Sequence, residues 1–103
     1  MINEISTIEE FDKIISSNST VICKFYATWC GPCKLYAKTF SDVSENYEDV
    51  PFLSIDVDKL PELTNKYKVK SVPMTIKIYN GEVVSSKNGS MSQSDVVKMI
   101  NGD

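Results

Sequence analysis

The sequence predicts an α/β fold, a central mixed five-stranded sheet flanked by four helices. Short apolar runs rich in strand formers alternate with helical periodicity, in the order β-α-β-α-β-α-β-β-α. The run Val21 to Ala27 is apolar apart from Lys24, as a strand buried on both faces requires. Asn80-Gly81 joins two strand-like segments, the strongest short-range signal for a hairpin. Strands joined through helices pair in parallel and a hairpin pairs antiparallel, so the sheet is mixed and carries helices on both faces.

The elements follow in order. Ile2 to Ile5 reads as a short edge strand. Ser6-Thr7-Ile8-Glu9 reads as a capping box, after which Ile8, Phe11, Ile14 and Ile15 share one helical face. Ser16 to Thr20 is polar and reads as a loop before the Val21 run. A second helix is predicted from Cys33 to about Tyr47, on the spacing of Leu35, Tyr36, Phe40, Val43 and Tyr47, with Thr39 and Ser41 weakening it. Pro51 to Asp56 is a second core strand. Pro61 suits the first turn of a short helix reaching about Tyr67, anchored by Leu60, Leu63 and Tyr67. Val72 to Tyr79 and Glu82 to Lys87 form the hairpin. Ser92-Gln93-Ser94-Asp95 opens a last helix with Val96, Val97 and Ile100 facing inward.

Size and composition narrow the function. The 103 residues fit one compact domain, 1–103, and the 42% apolar share is that of a chain with a real core. The 11 basic and 14 acidic residues are interspersed, so no basic stripe marks a nucleic-acid surface. The start, Met-Ile-Asn-Glu-Ile, lacks the basic and apolar regions of a signal peptide, and no apolar run approaches the ~18 residues of a bilayer span. The expectation is a cytoplasmic protein with no membrane and no nucleic-acid partner, acting as a monomer.

The chemistry concentrates in Trp29-Cys30-Gly31-Pro32-Cys33. The pair sits where a core strand ends and a helix begins, and helix N-termini present free N–H groups and partial positive charge. A thiolate is stabilised there, and the thiolate is the nucleophile of thiol–disulfide exchange. Cys30 precedes the first turn and is expected to be exposed and to attack. Cys33 lies inside that turn and is expected to be more buried and to resolve the mixed disulfide. Pro32, which lacks an N–H, stiffens the loop. Trp29 beside an exposed nucleophile is expected to shield the site or touch substrate. A zinc site is the competing reading of a CxxC pair, but the chain has no histidine and no second such pair, so carboxylates or a second chain would have to complete it. No metal is therefore expected. Cys23, seven residues before Cys30 in the apolar run, reads as an inert core filler.

Trp29 to Lys34, Trp-Cys-Gly-Pro-Cys-Lys, resembles the active site of the thioredoxin family. Val72-Pro73 lies where that family carries its cis-proline, forty residues past Cys33, and the stretch from Val72 to Gly81 resembles the family's strand and hairpin without a gap. Lys87-Asn88-Gly89 falls where the family has a glycine lining its substrate groove. The resemblance covers essentially the whole chain. It implies the thioredoxin fold and a cis Val72–Pro73 bond, a minority state for X–Pro bonds. It further implies that the Val72 backbone pairs with an extended substrate peptide. The activity implied is reduction of protein disulfides through the Cys30–Cys33 dithiol, with no cofactor of its own and with recharging by a flavin-containing thioredoxin reductase. An oxidase or isomerase, and a non-catalytic scaffold or subunit of a larger assembly, are the other readings. Gly31-Pro32 argues against the first of these and the intact cysteines against the second.

Three positions depart from the family pattern. The buried aspartate usual six residues before the first cysteine is Lys24 here, the lysine that often accompanies it falls at Phe52, and a helix-kinking proline is replaced by Lys38. Burying an ammonium is costly without a partner. Either the Lys24 stem packs and its amine reaches water or an acidic neighbour, with Asp56 the candidate, or the amine lies beneath Cys33 and modulates its pKa.

Overall fold

The computed structural model describes residues 1–102. Along the chain run β1 (Ile2–Glu4), α1 (Ile8–Ser17), β2 (Thr20–Tyr26), α2 (Gly31–Ser44), β3 (Phe52–Asp56), α3 (Pro61–Lys66), β4 (Met74–Tyr79), β5 (Glu82–Asn88) and α4 (Gln93–Asn101). The strands form one sheet in the order β1-β3-β2-β4-β5. β1, β3 and β2 are mutually parallel, while β4 runs antiparallel to β2 and β5 to β4. The predicted mixed five-stranded sheet with four helices is therefore the observed one.

The centre of the sheet follows from β2. Val21 to Phe25 are all buried, because β2 is paired on both edges and covered on both faces. Its odd-numbered residues, Val21, Cys23 and Phe25, join Phe11 of α1 and Leu63 of α3 in one core. Ile22, with Phe52 from β3, joins Tyr36, Phe40 and Val43 of α2 and Val96 and Ile100 of α4 in the other. This is the period of two expected of a strand.

Local signals place most helix ends. The α1 cap is one residue later than the expected Ser6–Glu9 box: the Thr7 hydroxyl accepts from Glu10 N at 3.1 Å, and the Glu10 carboxylate accepts from Ser6 N at 2.9 Å. Ser92 caps α4 by accepting from Asp95 N. In the hairpin, Asn80 (φ 51°) and Gly81 (φ 83°) both take the left-handed conformation that a two-residue turn demands. Two expectations on α2 are corrected. The helix starts at Gly31 and ends at Ser44, because Cys30 rather than a later residue is its cap. Leu35 is 81% exposed, since the inward face is carried by Tyr36, Phe40 and Val43 at spacings of four and three. The helix passes position 38 unbroken, with Lys38 on its outer face paired to Asp42 at 3.0 Å. In α4, Met99 is buried beside Val96 and Ile100, whereas Val97 is only half-buried. Among the described residues no helix is long and apolar enough to cross a membrane.

Candidate active site

The chain leaves β2 at Tyr26 and enters α2 at Gly31, so the Cys30–Cys33 pair stands at the C-terminal end of the central strand and the N-terminus of a 14-residue helix. Cys30 is the N-cap of α2, and its Sγ accepts from the backbone N–H of Cys33 at 3.2 Å. This is the place an N-cap oxygen would occupy, so the sulfur takes up one of the orphan donors of the first turn. Pro32, in that turn, has no N–H of its own to leave unsatisfied. Gly31 leaves open space at its Cβ position. Cys30 and Cys33 are joined as a disulfide.

Cys30 is 6% exposed and Cys33 3%. The expected order holds, but the expectation that Cys30 is exposed is corrected. Its sulfur is bonded to Cys33, lies 3.7 Å from the Val72 carbonyl oxygen, and packs with Ala27 in a small apolar cluster bordered by Tyr26, Val57 and Val72. The Val72–Pro73 bond is cis. Gly89 (φ 89°) donates its N–H to the Pro73 carbonyl at 2.8 Å, so the loop after β5 is tied to this proline. Trp29 is 72% exposed, and its indole N–H donates to Asp58 Oδ2 at 2.9 Å. Trp29, Val72, Pro73 and Gly89 thus border the cysteine pair or its cis-proline loop. Asp58, which orients Trp29, was not foreseen. No local pattern ties it to a tryptophan twenty-nine residues away.

Cys23 is fully buried, and burial pushes its thiol far above the ordinary range, as an inert core filler requires. Tyr36 is likewise buried; its hydroxyl shares a 2.7 Å hydrogen bond with Thr75, and its pKa is pushed up to about 12 by burial, which that bond partly offsets.

Lys24 is only 4% exposed. Its register partner on β3 is Ser54, so the position facing it is not Phe52, which pairs with Ile22. The expected Lys24–Asp56 contact is not formed either: Asp56 stands opposite Tyr26, and its carboxylate accepts from Asp58 N at 2.9 Å, closing the turn after β3. The Lys24 ammonium instead lies 5.2 Å from the Tyr26 ring centroid and 5.4 Å from that of Phe40, within cation–π range. Burial pulls its pKa below the ordinary lysine value, and the charge of Glu4 partly restores it.

That depression carries a stability consequence. Between the lowered native pKa and the ordinary value of 10.5, the unfolded chain holds a proton that the native chain has shed, so this residue's contribution to stability rises with pH there. At neutral pH the native fold bears the cost of burying the charge. Lys24→Met is expected to be more stable than the parent at neutral pH, with the difference shrinking as pH approaches 10.5, measured by urea unfolding across pH. A gap constant with pH would show that the charge is not the cause.

A cysteine pair capping a helix at the C-terminal end of a parallel strand, facing a cis-proline loop, defines a dithiol–disulfide exchange site. The thioredoxin family model matches residues 3–102. Thioredoxin 1 of Plasmodium falciparum is 41% identical over 90 residues, covering 86% of each chain. Thioredoxin-1 of Saccharomyces cerevisiae is 37% identical over 89 residues, again 86% of each. The solution structure of oxidised Plasmodium falciparum thioredoxin superposes with a TM-score of 0.89 at 34% identity, covering 99% of this chain and 97% of that one. Reduced Schistosoma mansoni thioredoxin gives 0.89 at 38% identity over 98% and 96%. The chain belongs to the thioredoxin family, and its activity is that of a thiol–disulfide oxidoreductase.

Proposed function

We propose that this chain works as a reductant of protein disulfides in the cytoplasm, with Cys30 as the attacking thiol and Cys33 as the resolving one. The observation that carries the assignment is the cap: the Cys33 N–H donates to Cys30 Sγ, so a thiolate on Cys30 gains a helix N-terminus and a backbone donor. Cys33, one turn in and more buried, is the less accessible of the two to an incoming disulfide. The Val72 carbonyl beside Cys30 supports a groove in which a substrate peptide pairs with the Val72 backbone, with Trp29 and Gly89 at its borders. The two sulfurs carry the electrons, so the reading requires no cofactor. A flavin-containing thioredoxin reductase returns the disulfide to the dithiol, and the chain acts as a monomer.

Insulin reduction tests this directly. With thioredoxin reductase as the electron source, the chain is expected to reduce insulin disulfides far faster than the reductase alone. A rate no higher than that background would overturn the reading and favour a scaffold.

A further inference from the structure

Behind Cys33 the structure opens a pocket of about 480 Å³ between α2 and the sheet. Cys33 and Ala37 form its helix side, and Lys24, Ser54, Glu4 and Tyr26 its sheet side. Ala37 stands one turn after Cys33, and its single methyl group is too short to close the gap. Lys24 reaches this space from the central strand. Glu4, Ser54, Lys24 and Thr75 are successive register partners across β1, β3, β2 and β4, so a polar row crosses the sheet face beneath α2. The one ion pair among the described residues is Lys38–Asp42 on the outside of α2, so no carboxylate holds the Lys24 ammonium.

We infer that Lys24, which lines this pocket together with Cys33, is a positioning residue whose ammonium favours the Cys33 thiolate during resolution. The inference rests on the cysteine roles proposed above. In that step Cys33 Sγ loses its proton to solvent. The thiolate attacks Cys30 Sγ, the Cys30–Cys33 bond forms, and the bond from Cys30 to the substrate sulfur breaks. The electron pair leaves on the substrate sulfur, which takes up a proton from solvent. The backbone donor of the first turn is already directed at Cys30, so it does not serve Cys33. The Lys24 ammonium, on the sheet side of the same pocket, fills that role while it is protonated.

The other groups around Lys24 form no ion pair with it, although the charge of Glu4 acts on it. Glu4 from β1 is exposed and accepts from the Tyr26 hydroxyl at 2.8 Å. Asp56 from β3 is engaged by the turn that follows it, and Ser54 is neutral. The Tyr36 hydroxyl of α2 is bonded to Thr75. Lys34, also lining the pocket from α2, adds a charge of the same sign as Lys24.

The test titrates Cys33 directly in a reduced Cys30→Ser background, by thiolate absorbance and by the pH dependence of alkylation. Cys23, fully buried, does not interfere. Lys24→Met is expected to move the Cys33 titration up by about one pH unit, roughly a tenfold loss of thiolate below the pKa. Lys24→Arg is expected to return it towards the parent, and Lys24→Gln to follow Lys24→Met. In chains with both cysteines, the acid limb of mixed-disulfide resolution moves by the same amount. An unmoved or lowered Cys33 titration in folded Lys24→Met and Lys24→Gln would overturn the inference. Because the titration needs no turnover, it stands apart from the insulin assay: failure there with a shifted Cys33 would count against the reductant reading alone.

Discussion

Cys33→Ser is expected to turn the protein into a trap, holding substrate proteins as mixed disulfides on Cys30, while Cys30→Ser captures nothing and its turnover falls to background. The reason is positional. Cys30 caps α2 and receives the Cys33 N–H, so its thiolate is the stabilised one. Serine at position 33 keeps that backbone donor and the first turn, so attack proceeds, but no second sulfur is left to expel the substrate. Serine at position 30 caps the helix equally well, as serine does, and so the fold survives while the nucleophile is lost. Mass spectrometry of captured adducts decides the matter, and adducts on Cys33 in the Cys30→Ser variant would reverse the assignment.

Much of this site was legible in the sequence because it is local. Cys30, Pro32 and Cys33 are neighbours on one strand–loop–helix connection, and the hairpin is fixed by the two residues of its turn. The sheet's central strand was legible from one run that is apolar apart from Lys24. What was not legible depends on contacts across the sheet. Ser54 faces Lys24, and the sequence did not name it, because register is a property of paired strands and not of either strand alone. Asp56 shares the face of Lys24, which made it a reasonable partner, but its carboxylate is used two residues on to close a turn. The burial of Cys30 comes in part from Val57 and Val72, distant in the chain, and could not be inferred from its place before the first turn. Leu35 shows a simpler failure: an apolar residue one position off the helical stripe faces water.

Phe40→Ala is expected to be the most damaging single core substitution beneath the site. Phe40 is fully buried on α2, with its ring centroid 5.0 Å from that of Phe52 on β3 and 5.9 Å from that of Tyr36. It ties the helix carrying the cysteines to the sheet. Removing it takes away the buried ring and leaves a cavity, at a cost of about 3–5 kcal/mol. For a domain near this size that lowers the melting midpoint by roughly 15–30 °C. One effect opposes this. The Lys24 ammonium lies 5.4 Å from the Phe40 ring, and opening that space to water relieves part of its burial cost. The relief is the smaller effect, because Lys24 already borders the pocket behind Cys33. Phe40→Leu, which keeps most of the apolar volume, is expected to cost much less. The cysteine pair lies two turns towards the N-terminus and is held by its own cap, so below the lowered midpoint Cys30 reactivity is expected to be unchanged. Thermal unfolding followed by circular dichroism, with alkylation rates measured well below the transition, checks both halves. A stability loss under about 1 kcal/mol would show that Phe40 does not anchor α2, since large-to-small changes at well-packed aromatic sites cost several times that.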